Sequence, residues 1–463
     1  MKFDFYCKNL LFIVFLFFLK GCREDLDFTI ANNKLKLSND TIFFDTILTN
    51  TKSQVYRLKL YNLEKEAIEI PSISLTNGAS SFFNIYVNGK KGPFVTNTPL
   101  RKNDSLYVLI ELLPKVISNN LVYSDDILIE TKSGIQKVHL KSFVEKAVYF
   151  NPLLNETEYI IENNTVWDNS LVYHINKSLK IANNSTLTIE AGTKVYFNKN
   201  SELIISEGSS LFVNGTVADK VNFRTNVHTY PLDVLYDQWN TIKLEKGSVG
   251  VIKNAIIKGG KNGLIIDEAN VKLENVQIYN QSFNGILASN SIIEGKNVVI
   301  NNCGNTSLKI ERGGSYEFYH CTFANYSNFS NVEPLALSIT NKGIPDNKPL
   351  TRCFFGNCIF TGLSNNSIQI DKNFDSNLEF TYFFDNNLIK FKDNTLELIN
   401  NPNFSLSIFN QDPGFIDVSF KVNNLSLNAS SFPRGKGLKV YSDLVNKNIV
   451  GTERIHPSNL GAY

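Results

Sequence analysis

A repeat of about 22 residues in the second half of the chain constrains its fold more than any other feature. Four segments align with one another at this period: Val251–Ile257, Lys272–Ile278, Glu294–Ile300 and Glu317–Phe323. The same polar position holds Asn254, Asn275, Asn297 and then His320, so the steps are 21, 22 and 23 residues. Short β-branched runs separated by Gly and Asn predict a solenoid, in which each turn buries its apolar face against the next.

Each repeat also predicts how one turn of the solenoid is built. Three short strand-like runs lie between Val271 and Ala288, and their alternate side chains are Val, Ile, Leu or small. Leucine-rich repeats need a fixed leucine spacing and helical repeats need a 3.6-residue period, and neither pattern is present. We therefore predict an all-β chain whose main domain is a parallel β-helix.

The aligned polar residues predict a ladder at one corner of that helix. Side-chain amides at a corner can hydrogen-bond along the axis and satisfy the backbone groups of a tight turn. We expect a structural role rather than a ligand-binding role for the members of this column: Asn254, Asn275, Asn297, His320 and Asn357.

The first part of the chain differs from the repeats. Residues 31–147 contain about seven short strand-like runs, such as Tyr56–Tyr61, with turn pairs such as Asn88-Gly89 between them. This pattern is typical of an immunoglobulin-like β-sandwich, although the usual Cys…Trp…Cys spacing is absent. The β-helix is predicted over residues 148–411. Residues 412–463 lose the period, and we expect them to cap the open end of the solenoid, because an unpaired β edge invites aggregation.

The N-terminus reads as a processing signal over residues 1–21. Its apolar run, Leu10–Leu19, is too short to span a membrane. The peptide Leu19-Lys-Gly-Cys22 resembles the bacterial lipobox, which predicts a lipid anchor on Cys22 and a tether over residues 22–30. The alternative is an ordinary signal peptide with a chance cysteine. The acidic cluster Arg23–Asp27 resembles the surface-export signal of Bacteroidota-type lipoproteins, and a solvated tether is its alternative.

Three further peptides carry a resemblance that covers nearly the whole mature chain. Glu190–Phe197, Gln238–Ile242 and the terminal Gly461-Ala-Tyr463 resemble those of a family of Bacteroidota lipoproteins. The resemblance implies a right-handed parallel β-helix of the pectate-lyase-like superfamily behind an N-terminal Ig-like domain. It also implies an outer-membrane, lipid-anchored protein exposed at the cell surface. Most members of that family have no assigned activity.

Cysteine spacing and charge narrow the function classes. Cys321 and Cys358 share the repeat position of Val276 and Val298, so they are predicted as stacked core thiols, with a disulfide between adjacent coils as the alternative. The cysteines do not have zinc-ligand spacing, and we predict neither a metal nor a cofactor. A net charge of +2 without a basic stripe gives no support to nucleic-acid binding.

Acidic residues in the repeats do not align at the coil spacing, as a catalytic groove on adjacent coils would need. The sequence therefore favours a non-catalytic protein that binds or displays a glycan or an envelope protein. A carbohydrate-active enzyme, either a polysaccharide lyase or a glycoside hydrolase, is the alternative. Arg312, Tyr316 and Tyr319 are the candidate ligand-binding residues, because aromatic rings can stack on sugars. Core packing and a solvated charged face are the competing interpretations.

Overall fold

The computed structural model describes residues 27–115, 121–225, 235–329, 331–373, 375, 377–393 and 395–463. The predicted signal peptide, Cys22 and the first part of the tether lie outside these residues. The chain divides into two compact units, one ending at Val144 and one running from Glu145 to Tyr463. This division lies three residues before the predicted boundary at residue 147. No helix among the described residues has the length and apolar character needed to cross a membrane.

The first unit is built from short strands in two sheets. Its strands are β1 Thr29–Ile30, β2 Lys36–Leu37, β3 Thr41–Phe43, β4 Ile47–Leu48, β5 Tyr56–Tyr61, β6 Ile68–Leu75, β7 Phe83–Val87, β8 Lys90–Lys91, β9 Phe94–Leu100, β10 Ser105–Leu112, β11 Leu121–Thr131 and β12 Gly134–Glu145, with a 3-10 turn at Gly78–Ser80. One sheet has the order β1-β6-β11-β12-β3, with β9 on β6 and β4 on β12. The other has the order β2-β5-β10-β7-β8.

Alternation along these strands fills the core between the two sheets. Leu58 and Leu60 of β5 and Ile68 and Ile70 of β6 are fully buried in one cluster, which joins the two sheets. Because side chains of a strand point alternately to its two faces, the residues between them point away from the core. The open faces of the two sheets carry polar, aromatic and aliphatic side chains, such as Lys59, Tyr107 and Val122.

The second unit consists mainly of one large parallel sheet. Its strands are β13 Ala147–Phe150, β14 Glu158–Ile161, β15 Thr165–Trp167, β16 Val172–Ile175, β17 Ser178–Ile181, β18 Thr186–Glu190, β19 Lys194–Phe197, β20 Glu202–Ile205, β21 Ser210–Asn214, β22 Val221–Thr225, β23 Ile242–Leu244, β24 Val249–Lys258, β25 Leu264–Asp267, β26 Asn270–Gln281, β27 Ile286–Lys296, β28 Val299–Cys303, β29 Thr306–Tyr319, β30 Thr322–Asn325, β31 Leu335–Thr340, β32 Leu350–Gly356, β33 Ile359–Gly362, β34 Ile368–Asp371, β35 Phe383–Asp385, β36 Leu388–Ile389, β37 Phe404–Ser405 and β38 Ile408–Phe409.

The pairing of these strands makes the unit a β-solenoid. In the first coils each strand pairs in parallel with the third strand after it, as β16 does with β13 and β19, so three strands make one coil. Later, two strands of a coil fuse into one long strand that bends at the corner, as in β26 at Asn275. Equivalent core residues therefore lie above one another. One column is Ile181, Ile205, Leu244, Ile266, Ala288, Ile310 and Ile339.

The core changes from aliphatic to aromatic along the axis. In the last coils Phe318, Phe355, Phe384 and Phe404 stack with ring centroids 5.5, 4.9 and 4.7 Å apart. Trp239 packs on Phe197 at 4.1 Å and has 1% of its surface exposed, as expected for a residue that joins two coils. Burial of each such side chain contributes about 1.5–3 kcal/mol to the free energy of folding. The hydrophobic core therefore stabilises the stack of coils.

The predicted polar column occupies one corner of the solenoid, which we call the Asn corner. The Asn275 amide donates to Asn254 Oδ1 at 3.1 Å, and the Asn297 amide donates to Asn275 Oδ1 at 2.9 Å. Asn357 contacts His320 Nε2 at 3.0 Å, and the next coil adds Asn386, whose amide donates to Asn357 Oδ1 at 2.7 Å. All six residues have φ between 48° and 56°. Asn tolerates this left-handed conformation better than most residues, which explains its choice at the corner.

The C-terminal segment, residues 412–463, lies along the side of the solenoid. It contains β39 Phe415–Asp417, β40 Asn424–Leu427 and α2 Lys439–Leu444, and α1 Thr395–Ile399 precedes it. The Asn280 amide donates to Phe420 O, that of Asn297 to Lys447 O and that of Asn386 to Lys436 O. Asn297 and Asn386 belong to the Asn corner, whereas Asn280 lies near the end of β26, five residues after Asn275. The segment thus covers a flank of the stack, where the sequence predicted a cap on its end.

Candidate functional site

Two of the predicted ligand-binding residues lie in the packed interior of the second unit. Tyr316 has no exposed surface, and its hydroxyl donates to Gly313 O at 2.8 Å. Burial raises the pKa of Tyr316 far above its ordinary value. Tyr319 is 8% exposed, donates to Glu317 Oε2 at 2.7 Å and packs against Tyr441 of α2. The structure therefore does not support a ligand-binding role for Tyr316 and leaves little of Tyr319 to contact a ligand.

The third predicted residue, Arg312, lies at the centre of an ion-pair cluster. Its guanidinium donates to Glu268 Oε1 and Asp346 Oδ1, both at 3.0 Å, and to Ser289 Oγ at 3.1 Å. Asp267 Oδ1 is 3.5 Å from Nη1. Burial disfavours the charged form, yet the hydrogen bonds to Asp346 and Glu268 hold the Arg312 pKa above its ordinary value. The three carboxylates and the guanidinium form ion pairs with one another. The cluster therefore attaches the loop between β31 and β32, which contains Asp346, to the stacked coils.

The cysteines of the described region are buried thiols: Cys303, Cys321, Cys353 and Cys358. The Cys321 amide donates to Cys358 Sγ at 3.4 Å, which places the two thiols in adjacent coils. The prediction of core thiols is confirmed, and the disulfide alternative is wrong. Among the residues that the structure describes, no group of three or more His, Cys, Asp or Glu could hold a metal ion.

The strongest candidate site is the open face of the five-stranded sheet in the first unit. Cross-strand pairing places a set of aromatic and basic side chains on this face, which we call the Tyr–Lys face: Tyr61, Tyr86, Tyr107, Lys36, Arg57, Lys59 and Lys91. The intervening residues, such as Leu58 and Val108, point into the core. The face is therefore a direct result of the two-residue alternation of the strands.

The three tyrosines form a diagonal row across three adjacent strands. Tyr107 of β10 lies opposite Lys59 of β5, and Tyr61 lies two residues further along β5. Tyr86 of β7 lies opposite Leu109, two residues along β10 from Tyr107 in the other direction. Diagonal neighbours in a sheet are about 7–8 Å apart, so the row extends over roughly 15 Å.

Basic side chains alternate with these rings. Lys59 Nζ lies 5.0 Å from the centroid of Tyr61 and 5.3 Å from that of Tyr107. Lys91 Nζ lies 5.5 Å from Tyr86, and Lys36 Nζ lies 5.7 Å from Tyr61. These distances allow cation–π attraction, which holds each ammonium beside a ring.

The charge on this face is predominantly positive. Glu111 of β10 is nearly buried, accepts from Tyr86 at 3.3 Å and pairs with Lys52 at 3.2 Å. The negative charge of Glu111 is therefore offset by a lysine outside the face, and the four cations of the face give it a net positive charge. Tyr107, at the centre of the row, is 48% exposed.

Two shallow clefts border the row. One has a volume of about 470 Å³ and is lined by Lys34, Lys36, Tyr61 and Lys65, among others. The other has a volume of about 710 Å³ and includes Arg57, Tyr86 and Tyr107. Since Tyr61 belongs to the first and Tyr107 to the second, the row links the two clefts into one elongated surface.

This face was not predicted from the sequence, although the residues that indicate it are present in the alternation of two strands. In Tyr56–Tyr61 the outward positions are Arg57, Lys59 and Tyr61, and in Ser105–Leu112 they include Tyr107. The pairing of β5 with β10 joins residues about 45–50 positions apart in the sequence. Alternation within one strand does not reveal that pairing.

Comparison with known proteins adds little to this picture. No family model matches the chain, and no curated protein matches it. Among solved structures, the chain is similar to a family 123 glycoside hydrolase from Clostridium perfringens, studied for glycolipid glycan hydrolysis. The identity is 13% and the TM-score is 0.19, over 28% of this chain and 25% of that one. The chain thus spans a quarter of that enzyme, and so loose an overlap supports no statement about activity.

Proposed function

We propose that the protein is a non-catalytic binder of an acidic polysaccharide, which it holds along the Tyr–Lys face of its first unit. The observation that carries the proposal is the diagonal row of Tyr61, Tyr107 and Tyr86 with lysines beside its rings. A row of rings on a flat sheet suits an extended chain better than a small molecule, because a small molecule needs an enclosing pocket.

Each component of the face matches one property of such a ligand. A tyrosine ring offers an apolar surface against which the C–H groups of a sugar ring can pack, with a hydroxyl for the rim. Lys36, Arg57, Lys59 and Lys91 supply positive charge for carboxylate or sulfate groups along the chain. The stems of the lysines cover apolar surface while their ammonium groups stay in water. The charge also attracts an anionic chain from a distance.

The proposal includes the finer architecture and location that the sequence predicts. The first unit would be an Ig-like sandwich, supported by its two sheets around one core. The second would be a right-handed parallel β-helix of the pectate-lyase-like superfamily, supported by its stacked parallel coils. A lipid on Cys22 would hold the protein in the outer membrane, facing the cell surface.

A binding assay tests the ligand class. The purified protein is screened on a glycan array, and each hit is measured by titration calorimetry with the variants Tyr107→Ala and Tyr86→Ala. Loss of one stacked ring is expected to weaken binding by roughly 2- to 12-fold. Tyr159→Ala, which removes an exposed tyrosine of the second unit, is the matched control and should bind like wild type.

Three outcomes would contradict the proposal. Unchanged affinity in Tyr107→Ala would remove the Tyr–Lys face as the site. Preference for an oligonucleotide or an envelope protein over every acidic glycan would remove the ligand class. Steady release of reducing sugar from a bound glycan would show an enzyme. The anchor is tested separately, by incorporation of a labelled fatty acid into wild-type protein but not into Cys22→Ser.

A further inference from the structure

A further cleft lies in the last coils of the solenoid, between the stack and the start of the C-terminal segment. Its volume is about 300 Å³, and we call it the C-terminal cleft, lined by Tyr326, Thr361, Gly362, Lys390, Lys392, Asn410, Gln411, Asp412 and Pro413. The lining residues come from the ends of four stacked strands. Tyr326 follows β30, Thr361 and Gly362 end β33, Lys390 follows β36, and Asn410 follows β38.

The walls of this cleft are held in place by contacts on the outside of the solenoid. Lys390 Nζ donates to Gly362 O at 2.6 Å and to Leu363 O at 3.1 Å. The Tyr326 ring packs edge-on against Phe415, with centroids 6.4 Å apart, and its hydroxyl lies 3.5 Å from Thr361 Oγ1. The cleft is therefore preformed, which reduces the entropy that a ligand loses on binding.

The charge of the cleft favours an anion. Lys390 and Lys392 both line it, and Asp412 is the one carboxylate among its lining residues. Asp412 Oδ1 already accepts from the Gly414 amide at 3.0 Å. Burial and the neighbouring Lys392 lower the pKa of Lys390, because two like charges lie close together. An ammonium has three donors, and the two carbonyls that Lys390 binds are neutral, so the third donor can serve an anionic ligand.

The other lining groups describe the rest of that ligand. Tyr326 offers a ring and a hydroxyl, Thr361 a hydroxyl and Gln411 an amide. The Asn410 side chain is already paired with the backbone N–H and C=O of Phe391 and serves as a fixed wall. Hydroxyls and amides both donate and accept, as a ligand with several hydroxyl groups requires. The volume is at the lower end for small-molecule sites, so it suits one or two sugar rings and excludes a long chain.

We infer that the C-terminal cleft binds a small anionic sugar, one or two rings long and carrying a carboxylate. This site shares no residue with the Tyr–Lys face and does not depend on the function proposed for that face. A sugar phosphate offers similar chemistry, and the experiment separates the two sources.

The inference is tested on the full-length mature protein by titration calorimetry with glucuronic acid, galacturonic acid, glucose, glucose 6-phosphate, acetate and inorganic phosphate. We expect the uronic acids to bind more tightly than glucose and acetate. Lys392→Met is expected to weaken uronic acid binding roughly three- to tenfold. Lys390→Met should weaken it at least as much, and unfolding curves check that loss of the contacts to Gly362 and Leu363 has not destabilised the coil.

Control variants separate this site from the first. Lys372→Met, at an exposed lysine of the same unit, should leave uronic acid affinity unchanged. Tyr107→Ala should also leave it unchanged, whether or not that variant loses polysaccharide binding. Equal affinity for glucose or for free acetate would overturn the inference, as would full binding by Lys392→Met. Tighter binding of glucose 6-phosphate and inorganic phosphate than of the uronic acids would replace the carboxylate by a phosphate and overturn the ligand class.

Discussion

One residue type recurs in a row both in the Asn corner of the solenoid and in the Tyr–Lys face of the first unit, yet the surroundings of the two rows are opposite. In the Asn corner each amide is bonded to the next coil, and the C-terminal segment covers the row with backbone carbonyls such as Lys447 O. In the Tyr–Lys face the central ring, Tyr107, is half exposed, and the neighbouring groups are lysines of the same face.

This difference separates a structural row from a binding row. A structural row satisfies its own hydrogen-bonding groups, because an unmade hydrogen bond in the interior costs about 1–3 kcal/mol. A binding row leaves apolar rings and charges directed at solvent, where a partner can replace water. Repetition of one residue type therefore does not indicate function until the partners of that row are known.

The largest effect is expected at the middle of the Asn corner. Asn297 joins Asn275, Lys447 O and the Arg454 guanidinium, which donates to Asn297 Oδ1 at 2.7 Å. Asn297→Ala should lower the free energy of unfolding of the second unit by about 3 kcal/mol, through lost hydrogen bonds and a strained φ of 52°.

Urea unfolding followed by tryptophan fluorescence measures this loss. The chain has two tryptophans, and both Trp167 and Trp239 are buried in the second unit, so the signal reports on that unit. Asn200→Ala is the control, since Asn200 is exposed with φ 62° and carries the strain without the corner contacts. If both variants lost the same stability, the amide ladder would contribute nothing beyond backbone conformation.

A smaller effect is expected where Arg312 binds Glu268 and Asp346. Arg312→Gln should cost about 2 kcal/mol at neutral pH, because hydrogen bonds between charged groups are lost. Hydrogen bonds from Arg312 lower the pKa of Glu268, and those from Lys348 and Arg312 lower the pKa of Asp346. Their contribution is therefore complete above the unfolded pKa values, near 4.5 and 3.8, and disappears as the pH falls through the lower folded values.

The same tryptophan measurement checks this pH dependence. The difference between wild type and Arg312→Gln should be largest at pH 7 and shrink as the pH falls below the ordinary values of 4.5 and 3.8, through the lowered pKa values of Glu268 and Asp346. A stability difference that stayed constant over this pH range would mean that packing of the arginine stem, and not its charge, holds the loop between β31 and β32 that contains Asp346.

The sequence identified the corner because a solenoid repeats its turn conformation in every coil. A left-handed residue was needed at each corner, and Asn254, Asn275 and Asn297 marked it. Asn386, which lies 29 residues after Asn357, was not among the predicted members of the column and is identified by its hydrogen bond to Asn357. The direction of the C-terminal segment along the flank was not predictable either, since its hydrogen bonds join residues more than 100 positions apart.

The burial of Tyr316 follows from the repeat itself. Val271 pairs with Ile293, and Ile293 pairs with Tyr316 in the next coil, and all three are core residues. Ile310, Tyr316 and Phe318 lie an even number of residues apart and face the core, whereas Glu317 is partly exposed. The position of Tyr316 in the repeat therefore indicates an inward side chain, and its candidate ligand role rested on its aromatic type alone.

The two outer rings of the Tyr–Lys face permit a test of whether the row acts as a unit. Tyr61→Ala and Tyr86→Ala should each weaken binding of the acidic polysaccharide by about 0.5–1.5 kcal/mol. Because the two tyrosines lie on either side of Tyr107, their effects on one long chain should add within about 0.5 kcal/mol. An oligosaccharide that covers only two rings should lose affinity in only one of the two variants. If its affinity changed in neither variant, the three tyrosines would not act as one binding row.

The smallest effect is expected from the lysine that lies between two rings. Lys59→Met keeps most of the side chain's volume but removes the charge near Tyr61 and Tyr107, so affinity should fall by about 0.5–1 kcal/mol. Salt screens exposed charges over about 10 Å at 0.1 M, so wild-type affinity should also fall with added salt. The variant should show a shallower salt dependence than wild type, while Lys272→Met, an exposed lysine of the second unit, should not. If Lys59→Met changed the affinity but not the salt dependence, the lysine would act through packing on the rings, and the positive charge of the face would not explain its preference for an acidic chain.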